Sequence, residues 1–312
     1  YWVNPTTTTM TKGKGYIARA SNGASSAQAM TVTFNDRPHN GQFTFPINRG
    51  TYSGPDYDAD PGNATNADTT EFDDNWNLVG NPYPSAIDAE EFLLLNQTKI
   101  QGTVWVWKHG FDLAATGSPY YANYLYNYST ADLIKYNGLG SLEPDTFGGQ
   151  IASGQGFLVN MKDSAPQVGS TITFNNDLRS GSIAPSGLYS NSMFYRSNSN
   201  INAAGRPVEE KSRIWLDIFN ATTGQMERTL VGYSTSSTLG NDWFYDCFHI
   251  IKPELSLYSL IDAKPFVIQG RPLPFDKNDV VPMGVKIVNA GSHTIAIKKV
   301  DGLFTDVNQS IY

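Results

Sequence analysis

Apolar and polar residues alternate in short runs along most of this 312-residue chain, the two-residue period of strands with one buried face. Val104-Trp-Val-Trp107 is a short strand core and Arg213-Ile-Trp-Leu-Asp-Ile-Phe219 a longer one. From there the runs Ile214–Phe219, Arg228–Tyr233, Leu257–Leu260, Phe266–Gln269, Val285–Val288 and Thr294–Ile297 follow with turn signals between them. Asn220-Ala-Thr-Thr-Gly-Gln225 is a hairpin-like link between the first two, and the spacing is that of a β-sandwich. One segment departs from the pattern. Ser85-Ala-Ile-Asp88 supplies capping residues, and Ala89-Glu-Glu-Phe-Leu-Leu-Leu95 follows with good helix formers, which predicts a short helix near 86–96. Asp88, Glu90 and Glu91 lie in its first turn, where acidic side chains favour the helix dipole.

An internal duplication is visible. Gly13-Lys-Gly-Tyr-Ile-Ala18 matches Gly154-Gln-Gly-Phe-Leu-Val159, and Thr31-Val-Thr-Phe-Asn35 matches Thr171-Ile-Thr-Phe-Asn175 at nearly the same offset. Each copy reads as a Gly-x-Gly turn, an aromatic-led strand, a variable loop and a second alternating strand. The stretch 181–207 is rich in Ser, Asn and Gly and reads as a linker. The expected architecture is therefore all-β, with two sandwich-like domains at 1–180 and 208–312 and the one short helix.

Composition narrows the function classes. A net charge of −7 repels phosphate backbones and argues against nucleic acid as a partner. No apolar run approaches the roughly 18–20 residues that span a bilayer, so no membrane span is expected. The single cysteine, Cys247, excludes an intrachain disulfide and reads as a small buried hydrophobe.

Three constellations carry possible chemistry. Asp56, Asp58, Asp60, Asn66 and Asp68 alternate through a loop containing Gly62, and such oxygen donors are a candidate calcium site. The loop departs from an EF-hand, with Gly at the seventh position and Ala67 where a bidentate Glu belongs; an acidic, solvated loop is the alternative. Trp105 and Trp107 share one face of a strand and, with Tyr121, Tyr124 and Tyr126, form a candidate ligand surface whose flat rings suit a sugar or a protein partner. The alternative is that they fill the core. Catalysis has no local signature: His39, His109, His249 and His293 are scattered, and Ile151 and Gln155 flank Ser153 where a nucleophile elbow needs glycines. Only unpaired carboxylates such as Glu90, Glu91, Glu143 and Asp145 stay open for glycoside hydrolysis.

Asn77-Leu-Val-Gly-Asn-Pro-Tyr-Pro-Ser-Ala-Ile-Asp88 and Gly148-Gly-Gln-Ile-Ala-Ser-Gly-Gln-Gly-Phe-Leu-Val159 resemble the β-rich modules that precede the sorting domain in large type IX-secreted surface proteins of the Bacteroidetes, flavobacteria among them. Arg213-Ile-Trp-Leu, Leu230-Val-Gly-Tyr233, Ile268-Gln-Gly-Arg-Pro-Leu-Pro-Phe275 and Asp301-Gly-Leu-Phe304 extend the resemblance over roughly residues 10 to 305. It implies an extracellular or outer-surface location, transit through the type IX machinery, and a non-catalytic role as stalk, adhesin or sorting-proximal spacer. Loops such as 56–77 and 108–150 would then be presented outward. Alternatives are a carbohydrate-binding module using Trp105, Trp107 and the tyrosines, or an accessory part of a secreted glycan-degrading enzyme; a surface polysaccharide or a protein is the expected partner. Asp68-Thr-Thr70 and Asp163-Ser-Ala165 look like the O-glycosylation pattern of exported proteins of that group, with Thr69 and Ser164 as acceptors. The start at Tyr1, without Met or an apolar leader, fits an internal or processed fragment.

Overall fold

The computed structural model describes residues 9–17, 33, 37–50, 75–107, 133–144, 147–179, 209–249 and 255–306. The described residues form an all-β fold with one short helix. The first half contributes β1 (Phe43–Pro46), β2 (Trp76–Gly80), β3 (Ile87–Asp88), helix α1 (Ala89–Leu95) and β4 (Ile100–Trp107). It continues with β5 (Leu133–Asn137), β6 (Gly140–Ser141), β7 (Gln150–Ile151), β8 (Gly156–Met161) and β9 (Thr171–Phe174). A five-stranded antiparallel sheet runs β2-β8-β4-β5-β6, while β1–β9 and β3–β7 are separate two-stranded ladders.

The helix begins three residues later than its earliest predicted position. Ile87 and Asp88 are taken by the β3–β7 ladder, and Asp88 is the extended N-cap, its carboxylate accepting from Glu91 N at 2.9 Å. Ala89, Phe92 and Leu93 form the buried stripe. Phe92 meets Phe157 of the large sheet edge-on at 5.1 Å and Phe174 of β9 at 5.2 Å. The layer facing the five-stranded sheet is thus the helix with the β1–β9 ladder, where the alternation alone suggested a second sheet. Asn96 closes the helix and joins it to β9: its Nδ2 donates to Phe92 and Thr173 carbonyls, and its Oδ1 accepts from Thr173 N at 2.7 Å.

The duplicated glycine turns lie on opposite sides of one strand. Gly80 pairs with Gly156 of β8, while Gly80 N donates to Gly13 O and Gly15 N to Leu78 O, both at 3.0 Å. A Cβ at Gly15 would stand 2.5 Å from the Leu78 side chain and 2.8 Å from Val79 O, so this approach requires glycine. Of the paired second strands, 171–174 is β9 and 31–35 lies outside the described residues apart from Thr33.

The second half holds β10 (Lys211–Asn220), β11 (Met226–Ser234), β12 (Cys247–Phe248) and β13 (Leu255–Ile261). β14 (Lys264–Pro272), β15 (Met283–Ile287) and β16 (His293–Val300) complete it. They form one seven-stranded sheet ordered β15-β13-β14-β11-β10-β16, with β12 added beside β14. The sheet curls until β13 approaches β10, enclosing Ile218, Leu255 and Leu257. The predicted Asn220–Gln225 link is a closed turn: Asn220 N donates to Gln225 O, and Asn220 Oδ1 accepts from Thr222 N and Thr223 N. The expected linker 181–207 lies outside the described residues.

The two halves share a core. Trp105, Leu139 and Leu142 from the first pack with Trp215, Leu230, Cys247, Val267 and Ile268 from the second. The β5–β6 hairpin is the inserted part, so the segment 108–150 is in this portion a clamp and not a presented loop. Arg228 donates to Asp217 at 2.6 and 2.8 Å and to Glu143 of the hairpin's end at 2.6 Å. Arg213 donates to Leu139 O at 2.8 Å while bound to Asp301, and Trp215 Nε1 donates to Ser141 O at 3.1 Å. From the other side Phe244 O accepts from Gly138 N at 2.8 Å.

Two substitutions test this joint. Arg228→Ala removes the cation that the buried Asp217 and the half-buried Glu143 share and is expected to lower stability by about 3 kcal/mol in denaturant melts. Gly102→Ala places a Cβ 1.8 Å from the Trp243 carbonyl oxygen and is expected to lower Tm, whereas Gly240→Ala, 3.7 Å from its nearest neighbour, leaves Tm unchanged.

Candidate functional site

A cavity of about 150 Å³ lies at this joint. One wall is a face of the five-stranded sheet. Gln101, Thr103 and Trp105 alternate along β4, Lys135 stands opposite Trp105 on β5, and Trp76 stands opposite Asn160 across β2 and β8. The other wall is the segment Asn241–Phe248, which leads into β12.

That segment is braced before it reaches the cavity. Asp242 accepts from Thr238 N and Thr238 Oγ1, and Asp246 accepts from Asp242 N. Trp243 Nε1 donates to Ile100 O at 2.9 Å, and the Lys162 ammonium lies 4.7 Å from the Trp243 ring centre. Burial lowers the Lys162 pKa. Gly102 and Gly138 allow the backbone of Trp243 and Phe244 to lie this close to the sheet. On the opposite wall Trp76 and Trp105 meet edge-to-face at 4.7 Å, so both indoles are held in place.

Asp246 and Cys247 are the buried ionisable groups of the cavity. Both Asp246 oxygens are engaged, by Asp242 N at 2.5 Å and Gly270 N at 2.6 Å, yet burial outweighs these bonds and raises its pKa to about 7. Burial also pushes the Cys247 thiol up to about 11, so it stays protonated, as expected of a small buried hydrophobe.

The sequence-predicted residues fall in different places. Trp105 is 8% exposed and part of the shared core, which corrects its assignment to an open stacking surface: β4 is a central strand and the second half covers its indole. Trp107 is half-buried at the end of β4. Tyr121, Tyr124 and Tyr126 lie outside the described residues, as do Asp56, Asp58, Asp60, Asn66, Asp68 and Thr69. Among the described residues no three His, Cys, Asp or Glu side chains converge on a metal position. Ser164 is exposed in a turn, beside Asp163, which accepts from Asn75. Glu90 accepts from the Tyr136 hydroxyl at 3.0 Å with Lys211 3.7 Å away, and Ser153 Oγ donates to Tyr83 O. Glu90 and Glu143 thus hold the two halves together. Alternation along Gln101-Gly-Thr-Val-Trp105 was enough to place three cavity residues on one face, but Trp243 and Asp246 gave no local signal of reaching that face.

A group whose folded pKa is raised contributes stability that is fully present below its unfolded value, near 3.8 for Asp246, and lost as pH rises through about 7. Tm is therefore expected to fall between pH 5 and 8. Glu90, also raised by burial, acts in the same direction, so the assignment rests on Asp246→Asn. That variant should melt lower at pH 5, having one acceptor oxygen for two amides, and show a flatter profile to pH 8.

No curated protein and no solved structure matches the chain. A family model described as a domain of unknown function, DUF8693, matches residues 1–312. The chain belongs to that family.

Proposed function

We propose that the chain is a non-catalytic extracellular module of a cell-surface or secreted protein carried by the type IX machinery, acting as a rigid unit that spaces and presents. The observation that carries this reading is the use the fold makes of the motifs that resemble such modules. Asn77–Asp88 and Gly148–Val159 lie side by side along β2 and β8, and the Asn81 side chain ties them together. Its Nδ2 stands 2.8 Å from Ser85 O and 3.0 Å from the carbonyls of Ile151 and Ala152. In the second half Arg213 and Asp301 pair with each other, and Tyr233 packs on Phe275 and Phe304. These residues are scaffold, and what the resemblance covers is a way of building a support. The shared core and crossing bonds resist bending between the halves, as a spacer requires.

Protease shaving of intact cells tests the location. The protein is expected to be digested from the outside in wild-type cells and to be retained within cells lacking the type IX outer-membrane translocon. Protection from external protease in wild-type cells, with fractionation into the cytosol, would overturn the proposal.

A further inference from the structure

We infer that the cavity between the two halves is a binding site for a single pyranose ring. The size sets the first limit: a cleft of about 150 Å³, open on one side, has room to seat one six-membered ring against its walls. The wall chemistry sets the second. Trp76, half-buried and held by Trp105, gives the apolar surface against which the C–H face of a sugar packs. Around it stand Gln101, Asn160 and Asn241, whose carboxamides each combine donors with an acceptor, the pairing that ring hydroxyls need.

Other ligand classes fit less well. A purely apolar ring would leave the Gln101 and Asn241 carboxamides facing a surface that offers them no hydrogen bond. Phosphate recognition calls for a convergence of cations or amide donors, and among the described residues Lys135 is the one cation lining this cavity. A hard metal ion would need free carboxylate oxygens, while both oxygens of Asp246 are held by backbone amides. The walls are set before a ligand arrives: Lys162 and the Ile100 carbonyl fix Trp243, and Gly102 admits its backbone. The inference rests on this geometry alone and not on the cellular location proposed above.

The test is titration of the purified chain with methyl β-D-glucopyranoside, methyl β-D-galactopyranoside and methyl α-D-mannopyranoside, followed by tryptophan fluorescence and saturation-transfer NMR. At least one is expected to saturate with a Kd on the order of 1 mM. Gln101→Ala and Asn241→Ala, at the rim, are expected to weaken binding about tenfold with Tm unchanged. No saturable response to any of the three overturns the inference, and so does a response that both variants leave intact. Saturation by benzoate with none by the pyranosides overturns it in favour of an aromatic-acid site. Pyranoside binding by a protein that stays inside the cell supports it and removes only the surface location.

Discussion

The arrangement of the two halves depends on one buried cation. Arg228 is 8% exposed, bonded to Asp217 on its own sheet and to Glu143 at the end of the β5–β6 hairpin. Its burial would be costly without these carboxylates, and the buried Asp217 in turn would be costly without it. The triad therefore fixes where the hairpin enters the second half. Trp215, Leu139 and Trp105 then pack in the register this sets, and the cavity exists because the sheet face and the Asn241–Phe248 segment are held at a fixed separation.

How much of this was legible in the sequence follows the range of each interaction. The helix was visible because its cap and its stripe lie within a dozen residues; its start moved only because Ile87 and Asp88 pair with Ile151 and Gln150, a contact no local window contains. The Asn220–Gln225 turn was equally local. The strand content was plain from alternation, but the layer packed on the first sheet was not, since a seven-residue helix substitutes for a sheet there.

The candidate site was less legible, and for the same reason. Trp105 was singled out for its type, yet its surroundings come from Leu230 and Cys247, far along the chain. Trp243 reads in isolation as one aromatic in a polar turn, and only the glycines at 102 and 138 reveal where it goes. Gly102 sits inside a strand without a turn to explain it, and that anomaly is the sequence-level trace of another backbone pressing close.

The inserted hairpin also has a temporal side. Glu143 meets Arg228 across 85 positions of sequence, and Leu139 receives the Arg213 guanidinium across 74. During synthesis from the N-terminus, the first sheet emerges while those partners are still unmade. Its hairpin then carries the Glu143 carboxylate one residue beyond the still uncovered Leu142, and a charge beside an apolar side chain favours hydration of that surface until β10 and β11 arrive. The carboxylate that ends as a counter-ion to Arg228 thus begins as a polar group beside apolar surface that has yet to be covered.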